Sequence, residues 1–543
     1  MRFDLEGSQP LRVPTAFRSA PPPTPDEELE RFAALQSRLL DRWEKVLSLD
    51  AGRRYIVVVP SLSLEGMAYS SVAGFNHYEE RMLFTLAQLR HARARIVYLT
   101  SQPLHPAMID YVIAQISGIP SAHVRERVSF LTCHDATPKP LTEKILERPR
   151  LIERIRRAID PERAYMICFS ATHRERSLAV RIGIPLYGLD PELVHLGTKS
   201  GSRKVFRAAG IPFPAGVEDV RTEREVGEAV ADMWENDPSL RRVMVKHDDG
   251  FSGEGNASLD LTRLAESGAK PGHASHSGLV EAVIGQLPHL RFFAKHQNWH
   301  NFRSRMEALG GVVEAFVEGD DKQSPSAQLR INPRGELTAI STHDQILAAD
   351  GQTYLGCRFP AAPDYRLAIQ EDAMKVGAVL REKGVIGRSA VDFVTFRNPD
   401  GTWGRSAIEI NLRMSGTTHP LMLMKLVNDG KYDAKTGVFR TRRGEERCYV
   451  ASDSLMRPEY KGLAVEDLLD IAAVHGLHYR PWTDSGVIFQ LTGALSQFGK
   501  VGITCIGATQ VEAQQWFDAT QGALDREVGL PAGLLSMPDL TDT

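Results

Sequence analysis

Ala407-Ile408-Glu409-Ile410-Asn411-Leu412-Arg413 is the stretch that decides how this chain is read. In a strand, successive side chains point to opposite faces, so Glu409, Asn411 and Arg413 share one face. Ile408, Ile410 and Leu412 share the other and are expected to anchor it in a core. A carboxylate, an amide oxygen and a guanidinium in one row suit metal-bound polyphosphate. The oxygens are hard ligands for Mg²⁺, and the guanidinium meets an oxyanion. An amphipathic strand with a solvated polar face would carry the same residues, so the surrounding sequence has to decide.

Upstream, Ala390-Val391-Asp392-Phe393-Val394-Thr395-Phe396 reads as a second strand, and Asn398-Pro399-Asp400-Gly401 supplies turn chemistry between the two. The pair is expected to form a hairpin that sets Asp392 beside Glu409 and Asn411. Two carboxylates and an amide suffice for one or two Mg²⁺ ions whose remaining ligands are phosphate oxygens and water. The competing role for Asp392 is ion pairing with a neighbour such as Arg388.

The chain has 543 residues, 42% of them apolar, a length that corresponds to about three or four globular domains. Net charge is −3 with the signs well mixed, which argues against nucleic acid or an anionic membrane as the main partner. No stretch approaches the roughly 20 apolar residues of a membrane span. Residues 1–25 carry Pro21-Pro22-Pro23-Thr24-Pro25 and no apolar h-region, and read as a flexible lead. The five cysteines, Cys133, Cys168, Cys357, Cys448 and Cys505, are widely spaced without a CxxC. A reduced, cytoplasmic compartment fits that usage. Cys133-His134-Asp135 looks like a catalytic string, but such groups meet through the fold and not by adjacency. His296 and His300 lack an obvious third ligand and read as surface.

Glu27 to Leu49 has helical periodicity, with Leu29, Phe32, Leu35, Leu39, Trp43 and Val46 on one side. The apolar runs Tyr55–Val59, Ala94–Leu99 and Ala164–Phe169, separated by helical stretches, indicate a parallel sheet covered on both faces. This doubly wound α/β unit, residues 26–195, has no GxGxxG and is not read as a dinucleotide site. Residues 196–315 and 316–440 follow as two further lobes, and 445–543 as a small α+β cap with strands at Gly486–Leu491 and Val501–Ile506 and a closing helix, Gln510 to Arg526.

Arg242-Val243-Met244-Val245-Lys246 alternates toward a lysine at a strand end, and His247-Asp248-Asp249-Gly250-Phe251-Ser252-Gly253-Glu254-Gly255-Asn256 follows. Three glycines within six residues let backbone N–H groups approach phosphate oxygens, to which Lys246 adds a point charge. A mobile hairpin loop would read the same way. Lys199, in Gly197-Thr198-Lys199-Ser200-Gly201-Ser202-Arg203-Lys204, opens a helix that Gly210 and Pro212 stop. The positive end of a helix is a poor place for a structural lysine and a good one for phosphate. Val312 to Asp321 reads as a strand running into a polar turn. Its backbone at Phe316 and Val317 could meet an adenine edge, with Glu314, Glu318 or Asp321 near amino or ribose groups; an edge strand with solvated acids is the alternative.

In this order the pieces resemble the ATP-grasp superfamily of carboxylate–amine ligases, over residues 197 to about 425. Lys199 leads a helix ending Ala-Gly-Ile-Pro, as in D-alanine–D-alanine ligases and biotin carboxylases. The long preceding unit, Gly-Thr-Lys-Ser-Gly-Ser-Arg-Lys and Glu-Ile-Asn-Leu-Arg-Met-Ser-Gly-Thr-Thr-His-Pro look most like the pheganomycin-type peptide ligases. The resemblance implies an α/β pre-grasp domain (26–195), a small ATP-grasp lobe (196–315), a large lobe with the metal site (316–440) and a C-terminal cap. It implies that Lys199 and Lys246 hold ATP phosphates under a lid containing Gly250, Ser252, Gly253 and Gly255, and that Glu314, Phe316 and Val317 contact adenine. Asp321 would be placed at the ribose, and Asp392, Glu409 and Asn411 on Mg²⁺, for which Mn²⁺ could substitute. Arg413 would stabilise the oxyanion.

The implied reaction joins a small-molecule carboxylate to an amine, an amino acid or peptide, through an acyl phosphate, with release of ADP and phosphate; a homo-oligomer is compatible with it. Two alternatives are an ATP-grasp carboxylase, for which no Ala-Met-Lys-Met-type segment is present, and a non-catalytic nucleotide sensor, which should have lost a metal ligand.

Overall fold

The computed structural model describes residues 23–530 apart from 48–51, 64–68, 70–71, 251–254, 295–296, 350 and 352. The proline-rich lead expected over residues 1–25 lies almost wholly outside them. The β-branched run Arg54–Val59 is buried almost throughout and forms the middle of a four-stranded parallel sheet. The sheet order is Val128–Thr132, Ala94–Thr100, Arg54–Val59, Ala164–Cys168. Val57 and Val59 face one apolar cluster, Ile56 and Val58 the other, as expected of strands covered on both faces. Val128–Thr132 was not anticipated, since it is mostly half-buried and lacks a continuous apolar run.

The helical periodicity near the N-terminus resolves into two helices, Pro25–Gln36 and Leu39–Leu47. They break at Ser37, whose hydroxyl donates to Ala34 O at 2.9 Å and so competes with the helical ladder. Leu29 is exposed, whereas Phe32 and Leu39 are buried.

A second sheet, antiparallel, runs Gly216–Val220, Gly311–Ala315, Arg242–His247, Asn256–Asp260, Arg291–Phe292. It has its own core, in which Trp234, Leu279 and Phe302 pack from helices Glu223–Asn236, His276–Gln286 and Trp299–Leu309. The helix Lys199–Ala209 does not join that core. Val205 and Phe206 turn into the cluster shared by the parallel sheet and helix Arg366–Glu382.

The third sheet has eleven strands. Gly387–Arg397 lies between Asp320–Gln323 and Pro325–Ile331 and also pairs with Trp403–Asn411. The expected hairpin is therefore present, with Asp392 opposite Glu409. Its turn is closed by Asn398 N donating to Thr402 O at 2.8 Å, and Gly401 takes a left-handed φ of +82°.

The alternation expected of Ala407–Arg413 is broken at one point. Asp392 pairs with Glu409 and Phe393 with Ala407, so Ile408 is an extra residue on its strand, a β-bulge. Ala407, Ile410 and Leu412 enter the core, and Ile408 turns toward the same cavity as Glu409.

The C-terminal strands have the α+β content expected of a cap, but they extend the third sheet. Glu446–Met456 pairs with Tyr354–Phe359 on one side and with Lys500–Gly507 on the other, and helix Gln510–Glu527 covers them. All five cysteines are buried and unbridged. No helix among the described residues is long and apolar enough to cross a membrane.

Candidate active site

The second and third sheets face one another across a cavity of about 840 Å³. Lys199, Lys246, Gly250, Glu314, Phe316 and Val317 line it together with Asp392, Glu409, Asn411 and Arg413. Residues separated by more than 200 positions are thus brought to one space. Among the expected site residues, Ser252 and Gly253 lie outside the described residues. Gly255 is described but does not line the cavity. Its φ is +84°, and an added Cβ would come within 2.8 Å of His247 Nδ1, so this glycine serves close packing of the loop on His247.

Each lysine is paired with a carboxylate. Lys199 Nζ lies 2.6 Å from Glu409 Oε1, and Lys246 Nζ lies 2.6 Å from Glu314 Oε2. The helix that Lys199 opens is capped by Thr198, whose hydroxyl accepts from Gly201 N at 3.0 Å. Its first turn already holds an anion, because Ser200 N donates to Asp248 Oδ1 at 2.7 Å. The expectation that this helix end itself receives phosphate is corrected. The protein's own Asp248 takes the amide, and only the Lys199 side chain reaches the cavity.

Glu314 binds Arg203 Nη1 at 2.9 Å through its other oxygen. Burial pushes the Glu314 carboxyl up, but Lys246 and Arg203 outweigh it and hold it below the ordinary range. With both oxygens committed to cations, Glu314 balances the charges of Lys246 and Arg203 at the cavity wall. Arg203 itself is held by Glu218 at 2.8 Å and by Pro214 O at 2.8 Å.

Phe316 and Val317 stand at the far end of the cavity. The Phe316 ring lies between Arg242, 3.9 Å from its centroid, and Lys322, 4.5 Å away. Lys322 also donates to Val317 O at 3.3 Å. Glu318 is exposed and fastened to Arg242 by bonds of 3.2 and 2.7 Å. Asp321, expected at the ribose, does not line the cavity. It takes a left-handed φ of +46° on an edge strand and faces Arg397 at 3.9 Å.

Asp392, Glu409 and Asn411 form a set of hard oxygen donors at the cavity floor. Asn411 Nδ2 donates to Asp392 Oδ2 at 2.8 Å. Burial raises the Asp392 carboxyl to about 6, and the Glu409 charge adds to the rise against a hydrogen bond from Ser326 and the charges of Arg413 and Lys199. A divalent cation would relieve the buried Asp392 carboxylate beside the charge of Glu409, so this donor set fits Mg²⁺. Arg388 does not pair with Asp392; it contacts Met422 Sδ at 3.2 Å. Burial lowers the Arg413 guanidinium, against the attraction of Glu409 and then Asp392.

Sequence reasoning missed Arg81 and Asp453, which line the same cavity from helix Phe75–Arg90 and strand Glu446–Met456. No local pattern marks either. Ser326 and Arg203 were also missed, although Arg203 lies inside the quoted lysine motif. The string Cys133-His134-Asp135 is structural. Burial pushes the Cys133 thiol up to about 12, and Asp135 pairs with Arg148 at 2.7 Å. His300 is exposed, and His296 lies outside the described residues.

Residues 191–435 match the family described as IQCH-like, ATP-grasp, and residues 467–520 match the PGM1 C-terminal domain. The chain is 31% identical over 454 residues to the L-propargylglycine–L-glutamate ligase of Streptantibioticus cattleyicolor, covering 82% of this chain and 89% of that one. It is 24% identical over 508 residues to IQ motif-containing protein H of Danio rerio, covering 86% of this chain and 47% of that protein. Among solved structures, the biotin carboxylase–β-γ-ATP complex of Campylobacter jejuni superposes with a TM-score of 0.52 at 12% identity, covering 88% of this chain and 95% of the other. The biotin carboxylase domain of Hydrogenobacter thermophilus 2-oxoglutarate carboxylase, solved with MgADP, ADP and bicarbonate, gives 0.50 at 12% identity over 87% and 90%. At that identity the carboxylases share the fold alone. Fold, site and relatives agree: the chain belongs to the ATP-grasp family of ligases.

Proposed function

We propose that this protein is an ATP-dependent carboxylate–amine ligase that works through an acyl phosphate and releases ADP and phosphate. The observation that carries the reading is the single cavity in which Lys199, Lys246, Asp392, Glu409, Asn411 and Arg413 converge. Lys199 exchanges Glu409 for the polyphosphate of ATP, and Lys246 reaches the phosphates while still paired with Glu314. Glu314 keeps Lys246 aimed while this happens. The turn at Phe316 and Val317 takes the base.

Asp392, Glu409 and Asn411 would hold Mg²⁺, or Mn²⁺ in its stead. A bound ion would neutralise phosphate oxygens. A carboxylate oxygen of the acid attacks the γ-phosphorus while the bond to ADP breaks, with positioning and charge neutralisation supplying most of the catalysis. The amine then attacks the acyl carbon, Arg413 stabilises the oxyanion, and phosphate leaves as the C–N bond forms. The C-terminal strand that brings Asp453 and Ser454 to the cavity helps keep water from the acyl phosphate.

An amino acid or peptide as the amine is supported by the relative, whose name joins two amino acids. Unbridged, buried cysteines suit a cytoplasmic setting. The test incubates the purified chain with ATP, Mg²⁺ and a panel of amino acids and peptides, and measures nucleotide products and hydroxylamine-trapped acyl groups. ADP, phosphate and hydroxamate are expected; stoichiometric AMP and pyrophosphate would reject the mechanism.

A further inference from the structure

The cavity extends past Arg413 to Arg81 and Asp453. These two come from sequence positions 372 residues apart and meet through one bond, Arg81 Nη1 to Asp453 Oδ2, at 3.2 Å. Charge-assisted bonds of this kind run about 2.7–2.9 Å. Both side chains are buried, 7% and 6% exposed, and Arg81 Nε is buried without a partner. The guanidinium is fixed between two rings, 4.2 Å from the Tyr78 centroid and 4.8 Å from that of Phe169, which orients its plane without using its donors. A pair built only to tie the two segments together would be expected to use that fork for a bidentate grip. Two desolvated charges joined by one long bond keep donors and acceptors in reserve, a costly arrangement unless a ligand engages them.

We propose that Arg81 and Asp453 read the two charged groups of an α-amino acid, and that this amino acid is the acid the enzyme activates. The inference rests on the ligase reading above and names its donor. Arg81 and Arg413 line the same cavity, so a carboxylate held by Arg81 is presented toward the Arg413 side of the site. Asp453, released from Arg81, takes the α-ammonium. Leu62, Phe169 and Tyr354 line the same end of the cavity and favour an apolar side chain.

Asp453→Asn is the informative variant, because its amide oxygen can still accept from Arg81 and keep the two segments joined. The assay is ATP-dependent hydroxamate formation by the full-length protein, using the twenty proteinogenic L-amino acids and their des-amino counterparts, beside ATP affinity and melting temperature. Wild type should prefer at least one amino acid over its des-amino counterpart by roughly 10- to 150-fold in kcat/KM, the worth of a hydrogen bond to a charged group. Asp453→Asn should erase that preference while ATP affinity stays unchanged; its melting temperature falls, because Arg81 loses a buried counter-charge, whether or not an amino acid is read here. Arg81→Lys should raise KM for both members of the pair, since a point charge cannot replace the fork. Equal use of des-amino acids by wild type, or a preference that survives in Asp453→Asn, overturns the inference and leaves the ligase reading standing. No hydroxamate from any acid overturns both.

Discussion

Replacing Glu314 with glutamine tests whether this residue is the counter-charge of Lys246. The substitution keeps the shape and removes the negative charge from a side chain that is only 3% exposed. Arg203 retains Glu218 and the Pro214 carbonyl, so the group left uncompensated is Lys246. Removing one member of a buried ion pair costs about 3–5 kcal/mol. Because the glutamine oxygen still accepts a hydrogen bond, the expected loss lies near the lower end, about 3 kcal/mol. Urea unfolding of the full-length chain with and without ATP measures it.

The pH dependence has a definite sign. Glu314 titrates below its ordinary 4.5 in the folded protein. Its contribution is therefore full above the ordinary carboxylate range and is lost as pH falls through the lowered value. The stability gap between wild type and Glu314→Gln should be complete at neutral pH and close under acid. ATP should still bind the variant, because its phosphates restore a counter-charge to Lys246. An unchanged urea midpoint, or a gap that persists in acid, would refute the counter-charge role; selective loss of ATP affinity with unchanged stability would return Glu314 to the adenine.

Asp392→Asn and Glu409→Gln should each lower turnover by roughly 1000-fold, the scale of losing several kcal/mol of charge stabilisation, without loss of fold in circular dichroism. The Asp392 carboxyl titrates near 6, above its ordinary 3.8, so its ionised form opposes folding at neutral pH and the asparagine variant should melt no lower than wild type. Arg413→Ala should reduce single-turnover ligation far more than ATP affinity, and Arg413→Lys should rescue poorly, because a point charge cannot reproduce a planar fork. Equal ligation rates in all three proteins would remove Arg413 from the reaction.

What was legible in the sequence was local. The hairpin announced itself because Asn398-Pro399-Asp400-Gly401 separates two alternating runs, and its register then places Asp392 against Glu409. Lys246 could be read because it stands one residue before the end of an alternating strand. The Ile408 bulge could not be read, since one extra residue in a β-branched run leaves the pattern intact and shows only in the pairing. Lys199 was placed correctly at its helix start, but the Asp248 cap depends on a loop 48 residues away. Arg81 and Asp453 are further cases of the same limit. Each looks like one more charged residue in its own segment, and only the fold sets them across one cavity. Asp321 shows the reverse: an acid well placed in sequence is turned aside by a left-handed backbone and an arginine neighbour.

Tyr354–Phe359 has a ladder partner on each side, Leu337–Leu347 within the large lobe and Glu446–Met456 from the C-terminal segment. A protein shortened before residue 446 would therefore turn Tyr354–Phe359 into an edge strand with one side unpaired, a ready template for a second molecule. It would also forfeit Asp453, and with it one wall of the reaction chamber. The last hundred residues are thus tied to the rest in two ways, by backbone pairing and by the bond from Arg81 to Asp453 at the cavity wall. A lineage that trimmed or swapped them would change solubility and selectivity in the same event, and new acid specificities should arise here by substitution within the strands in preference to exchange of the whole segment.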